Sequence, residues 1–151
     1  MNSPASSFEI GTDGPSLILV GVDGSRTSLR AGAYAAGLAR RQGSRLLAVF
    51  VRHISASAGL SPGAAAAMSE TGQEMADEMA ELLVGRVAEI GIRADFESVA
   101  GDPFTELTRI ATERRADLVV VGTSEQAGHR IIGSLATRLV RAGKWPVLVV
   151  P

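Results

Sequence analysis

The chain has 151 residues, of which 46% are apolar and 21% charged, enough for a single domain of about 100–200 residues with a real core. Fifteen basic and sixteen acidic side chains leave a formal charge of −1, which argues against a partner held by a basic surface, whether nucleic acid or anionic membrane. Cysteine is absent, so disulfides, thiolate metal sites and thiol chemistry are excluded, and no apolar run approaches the roughly 18 residues of a membrane helix. The N-terminal stretch lacks Lys, Arg and an apolar segment, unlike a secretory signal. A soluble, cytoplasmic, single-domain protein is expected.

Residues 1–15 are rich in Ser, Gly and Pro, with Phe8 and Ile10 as the substantial apolar side chains. They have too little to bury to offset ordering, and are read as a flexible tail. A first strand is predicted over Leu17–Val22, where LILVGV is continuously apolar and rich in β-branched residues. Ser25 to Thr27 then offer helix-start signals, after which Tyr34, Ala35 and Leu38 share a helical face. A weaker strand is predicted over residues 45–51. Residues 54–67, rich in Ser, Ala and Gly, read as a loop. The next helix is marked by Met75, Met79, Leu82, Leu83, Val87 and Ile90 at steps of three and four, and ended by Gly91.

A third strand is predicted over 93–99. Asp102-Pro103 reads as an N-cap followed by proline at the first helical position, with Leu107, Ile110 and Ala111 buried. Residues 118–121 (LVVV) form a fourth strand. Ile132, Leu135, Leu139 and Val140 mark the last helix, stopped around Gly143 and Pro146. The run Val147–Val150 closes the chain as a fifth strand. Alternation of β and α, with strands apolar on both faces, predicts an open parallel α/β sheet with helices on both sides.

Ligands of such sheets bind beyond the carboxyl ends of the strands. Two segments qualify: Gly21-Val22-Asp23-Gly24-Ser25 after the first strand, and the segment from Gly122 through Thr123, Gly128, His129 and Arg130 to Gly133-Ser134 after the fourth. Glycines and exposed N–H groups at a helix start favour a phosphate. The same glycines equally serve turns and tight packing. Asp23 is either an acceptor for a sugar or base, or a turn residue of the first helix. His53 reads as a solvated loop residue, and two histidines make a poor metal site. The acids Glu70, Glu74, Asp77, Glu78 and Glu81 form a solvated helix face. No G-x-x-x-x-G-K-[ST] occurs, no G-x-G-x-x-G follows the first strand, and no G-x-S-x-G directly follows a predicted strand as a nucleophile elbow.

The opening LILVGVDGSRTSLRAGAYAA, the central GDPFTELTRIATERRADLVVVGT and the closing GSLATRLVRAGKWPVLVVP resemble the universal stress protein family. The resemblance spans residues 16–151. It implies an adenine-nucleotide alpha hydrolase-like fold with a five-stranded parallel sheet of order 3-2-1-4-5, its switch point between strands 1 and 4. It also implies a homodimer paired through Val147–Val150. Nucleotide-binding members carry glycine, two residues, glycine, nine residues, then glycine with Ser or Thr. Gly122 and Gly133-Ser134 fit the ends of that pattern, but ten residues separate them here instead of twelve. The middle glycine falls on Glu125 counted forward and on Thr123 counted back, and Gly128 is a substitute in a shorter loop.

What the resemblance implies for the site is ATP or another adenine nucleotide (AMP, cyclic AMP), bound without dedicated catalysis and without a required metal. Val22, Asp23 and Val51 would address the nucleoside; Gly122, Thr123, Gly128, Gly133, Ser134 and Leu135 the phosphates. The shortened loop keeps open a member that has lost the nucleotide and acts through protein partners. A slow ATP hydrolase lacks an evident general base.

Overall fold

The computed structural model describes residues 14–52, 61–124 and 133–151. Most of the expected tail, together with His53, Glu125, Gly128, His129, Arg130 and Ile132, lies outside the described residues. Nine elements alternate: β1 Leu17–Val22, α1 Arg26–Gln42, β2 Arg45–Arg52, α2 Pro62–Ile90, β3 Arg93–Ala100, α3 Pro103–Glu113, β4 Leu118–Gly122, α4 Ser134–Ala142 and β5 Val147–Val150. The strands form one sheet of order β3-β2-β1-β4-β5, and every neighbouring pair is parallel. Both sequence-based expectations, the alternation and the order, hold.

Alternation along the central strands divides the core in two. Ile18 and Val20 face Ala31, Ala35 and Ala39 of α1, with Leu46, Ala48 and Val120 on the same side. Leu19, Leu47, Val49, Val119 and Val121 face Leu107, Ile110 and Ala111 of α3 and Ala136 and Leu139 of α4. Ile18, Leu19, Leu107, Ile110 and Leu139 are fully buried, each contributing about 1.5–3 kcal/mol of transfer free energy. Among the described residues no helix is long and apolar enough to cross a membrane.

Helix boundaries follow their caps. Ser25 Oγ accepts from the Ser28 N–H and opens α1; Ser61 does the same with Ala64 ahead of α2. Asp102 accepts from the Thr105 N–H at 2.9 Å with Pro103 at the first helical position. Gly43, Gly91 and Gly143 close α1, α2 and α4 in the left-handed conformation, where a side chain would be strained.

One expected boundary needs correction, and three helices leave exposed some of the apolar residues that mark them. Residues 62–67, read as loop, are the first turns of α2, because Ser61 caps and Pro62 is preorganised for a helix start. Tyr34 is 57% exposed, and α1 buries Ser28, Ala31, Ala35 and Ala39 instead. On α2, Met75 and Leu82 are exposed; the inner row is Ala76 with the partly buried Leu83, Val87 and Ile90. Val140 of α4 is also exposed. In each helix the inner row includes alanine, which lets the helix lie close to the sheet and leaves larger apolar side chains on the flanks.

Candidate functional site

The switch point separates β1, whose chain leaves toward β2, from β4, whose chain leaves toward β5. Beyond β1 the backbone turns sharply. Gly24 has φ +83°, and the Asp23 carboxylate accepts the Ser25 N–H through Oδ1 at 2.8 Å. The Asp23 N–H donates to Ser28 Oγ at 3.2 Å, and that hydroxyl in turn donates to the Ser25 carbonyl oxygen at 3.0 Å. Partial burial opposes charge on Asp23, but hydrogen bonds from Ser25 and Ser28 outweigh it and hold the carboxyl below its ordinary 3.8. Among the described residues nothing donates to Oδ2. Asp23 is therefore a turn residue with one oxygen uncommitted among the described residues.

The end of β4 is seated against the first turn of α1. A Cβ on Gly122 would stand 2.5 Å from the Thr27 carbonyl carbon and 2.8 Å from the Ser28 nitrogen; these are backbone atoms that cannot step aside. The Thr27 hydroxyl donates to the Thr123 carbonyl oxygen, and the Thr123 N–H donates to the Val150 carbonyl oxygen at 2.9 Å. Thr123 is thus held on one side by α1 and on the other by β5. Its N–H is committed, contrary to the expectation that it waits for a phosphate.

Gly133 brings the chain back. It is buried, and a Cβ there would lie 2.8 Å from Ser124 Cβ. As N-cap of α4 it has no side chain to satisfy the helix start. Helix geometry leaves the N–H groups of Ser134, Leu135 and Ala136 without intrahelical partners, and among the described residues none accepts from them. They lie at the positive end of the α4 dipole. The guanidinium of Arg138, one turn along α4, packs 4.2 Å over the Phe104 ring and 3.5 Å from Asp102, joining α4 to the start of α3.

These pieces surround one cavity of about 440 Å³, within the usual size of a small-ligand site. Val22, Asp23, Val51, Gly122, Thr123, Gly133, Ser134 and Leu135, all candidates from the sequence, line it; Gly128 lies outside the described residues. The sequence reading missed the hydroxyls of Thr27 and Ser28 and the apolar wall of Val49, Pro103 and Leu107. Val49 was legible, since it shares a strand face with Val51. Pro103 and Leu107 depend on how α3 crosses the sheet.

The universal stress protein family model matches residues 16–151. The chain belongs to the universal stress protein family. A universal stress protein of Methanocaldococcus jannaschii is 31% identical over 136 residues, 88% of this chain and 80% of that protein. The crystal structure of a universal stress protein family member from Burkholderia pseudomallei is 32% identical, with a TM-score of 0.70 over 90% of this chain and 96% of that one. A universal stress protein in complex with cAMP is 24% identical with a TM-score of 0.71, covering 92% of this chain and 99% of that chain; it shares the fold.

Proposed function

We propose that this universal stress protein binds an adenine nucleotide in the cavity between β1 and β4 and holds it without consuming it. The observation that carries the reading is the cavity's pairing of two ends: Asp23 on one side and, on the other, the first turn of α4, where the N–H groups of Ser134, Leu135 and Ala136 have no acceptor among the described residues. Val22, Val51, Pro103 and Leu107 between them suit a flat, largely apolar base, Asp23 a ribose or base donor, and the helix start a phosphate. Gly122, Gly133 and Ser134 shape the phosphate end. The structurally similar family member bound to cAMP supports an adenine ligand. Isothermal titration with ATP, ADP, AMP and cyclic AMP tests the reading; no heat and no competition at millimolar nucleotide reject it.

In this reading the protein is a cytoplasmic stress-response homodimer paired through β5. The edge strand Val147–Val150 is only partly buried, and an apolar edge of this kind invites pairing. Its surroundings agree. Thr27 and Tyr34 lie on one flank of α1, two turns apart, and that flank meets β4 and β5 through Thr27 and through Arg30, which donates to the Pro151 carbonyl oxygen at 3.4 Å. Val140 occupies the flank of α4 opposite Arg138, away from α3. Exposed Tyr34 and Val140 thereby extend the apolar edge above and below the sheet.

A second reading, a dimer that acts through protein partners with no nucleotide, is favoured by the glycines. Close contact of Gly122 with Thr27 and of Gly133 with Ser124 accounts for both without a ligand. The same titration separates the two.

A further inference from the structure

Charge is divided between two helices that share one face of the sheet. Both α1 and α2 pack on the side of Ile18 and Leu46, α1 over β1 and β4 and α2 over β3. The 17 residues of α1 carry four arginines and no acid, whereas the 29 of α2 carry six acids and one arginine. Arg26 lies about half a turn round α1 from the buried Ala35, and Glu74 and Glu78 lie about half a turn round α2 from the buried Ala76. All three are exposed, and among the described residues none of them pairs with another charge.

An apolar seam runs between these charges. Met68, Met75 and Leu82 recur every seven residues along α2 and are exposed, as is Leu29 of α1. A Cβ on Gly24 would stand 3.5 Å from Met75 Cε, so the methionine flank of α2 is the one turned toward α1. Leu29 lies about 200° round α1 from Thr27, whose hydroxyl binds at the end of β4, and so occupies the flank nearer α2. The contact of Met75 with Gly24 also sets the heights. Both helices run against the strand direction, so Arg26 is level with residues 74–78 and Arg40 with the end of α2 near Glu89.

We propose that a second copy of this chain covers the seam, α1 of each copy lying over α2 of the other about a two-fold axis parallel to the helices. Such an axis leaves heights unchanged. Arg26 then meets Glu74 and Glu78 of the second copy, Arg40 meets the end bearing Glu89, and each contact occurs twice. Leu29 falls between Met75 and Leu82 at the centre. The other face-to-face axis, perpendicular to the helices, stacks the six acids of α2 on six more and is disfavoured. Residues 1–13, a competing occupant, would bring Glu9 and Asp13 and no Lys or Arg to the acidic rim. Two helices side by side over the length of α1 offer a strip about 25 Å by 20 Å. That is at the low end of specific interfaces, which places the association at high micromolar protein. The cavity has α3 and α4 on its walls and the β5 edge lies apart from the seam, so this contact depends on neither the nucleotide nor the β5 dimer.

Sedimentation equilibrium of the full chain from about 10 µM to about 1 mM tests the contact. It is run on the parent and on Tyr34→Glu/Val140→Glu, so that pairing through β5 is read apart. The expected result in both is a doubling of the mass seen at low concentration, weakened several-fold by raising salt to about 0.5 M. Arg26→Glu and Glu78→Arg should each weaken the doubling roughly tenfold, and Leu82→Glu should abolish it, with circular dichroism native throughout. The double variant Arg26→Glu/Glu78→Arg should associate more tightly than either single variant, because the exchanged charges again attract across the two-fold. Losses that simply add in the double variant overturn the pairing of α1 on α2. Doubling that all these variants leave unchanged overturns the seam as its site. No doubling up to about 1 mM overturns the proposal outright and leaves the seam to a different protein.

Discussion

The hydroxyl of Thr27, in the first turn of α1, is bonded to the carbonyl oxygen of Thr123, just past the end of β4, across a separation of 96 residues. That bond draws β4 against α1 so closely that the intervening residue has no room for a side chain. Gly122→Ala is expected to destabilise the fold by roughly 1–3 kcal/mol, because the added Cβ meets Thr27 and Ser28 backbone atoms. Urea denaturation would show a lowered midpoint; an unchanged midpoint would mean that α1 and β4 can separate freely.

Gly85 offers the opposite case. It lies exposed within α2, and a Cβ added there would meet nothing within 4 Å. Gly85→Ala should stabilise the protein by about 1 kcal/mol through helix propensity. A rise in the urea midpoint checks it, and a fall would contradict the solvent-facing placement of that residue.

The start of α3 depends on Asp102, which accepts from both the N–H and the hydroxyl of Thr105. These hydrogen bonds, chiefly that from the Thr105 N–H, and the nearby Arg138 outweigh desolvation and hold its carboxyl below the ordinary range. Asp102→Ala should cost about 1 kcal/mol, whereas Asp102→Asn, which caps comparably, should cost much less. Equal losses in the two variants would shift the explanation from capping to the charge beside Arg138.

Asp23 predicts an acid-side dependence of stability. Its folded carboxyl titrates below its ordinary 3.8, so the unfolded chain takes up the proton first as pH falls. Its contribution is complete above about pH 5 and is lost as pH drops through 3.8 toward the folded value. Unfolding free energies measured between neutral and acidic pH should fall less steeply for Asp23→Asn than for the parent. Parallel curves would show that its bonds to Ser25 do not favour the charged form.

The proposed dimer makes Tyr34 and Val140 its outer contacts. Tyr34→Glu combined with Val140→Glu should shift sedimentation toward the monomer at micromolar protein while far-ultraviolet circular dichroism stays native. Both side chains are exposed, so the fold itself should tolerate the charges. Retention of a stable dimer would place pairing elsewhere.

The strands were legible because β-branched runs such as LVVV have no polar face, which suits a sheet covered on both sides. The inner faces of the helices were less so. Large apolar residues such as Tyr34, Met75 and Val140 draw attention, yet Ala31, Ala35, Ala39 and Ala76 make the contact. A small side chain reveals little by hydropathy about which way it points. At the site, Asp23 and Gly133 could be placed because they follow or precede predicted elements. The engagement of the Thr123 N–H by Val150 could not, since hydrogen bonds between strands distant in sequence depend on register. Nor could the role of Thr27, whose hydroxyl reads locally as one more helix-start signal.

The hydrogen bond from Thr123 to Val150 also bears on how the protein is handled. It makes the last residues of β5 a brace for the rim of the crevice, so a tag fused after Pro151 would emerge beside the mouth of that crevice. Trimming back through Val150 would free the Thr123 amide and loosen the rim. Ligand measurements are therefore best made on material whose purification handle sits at the other terminus.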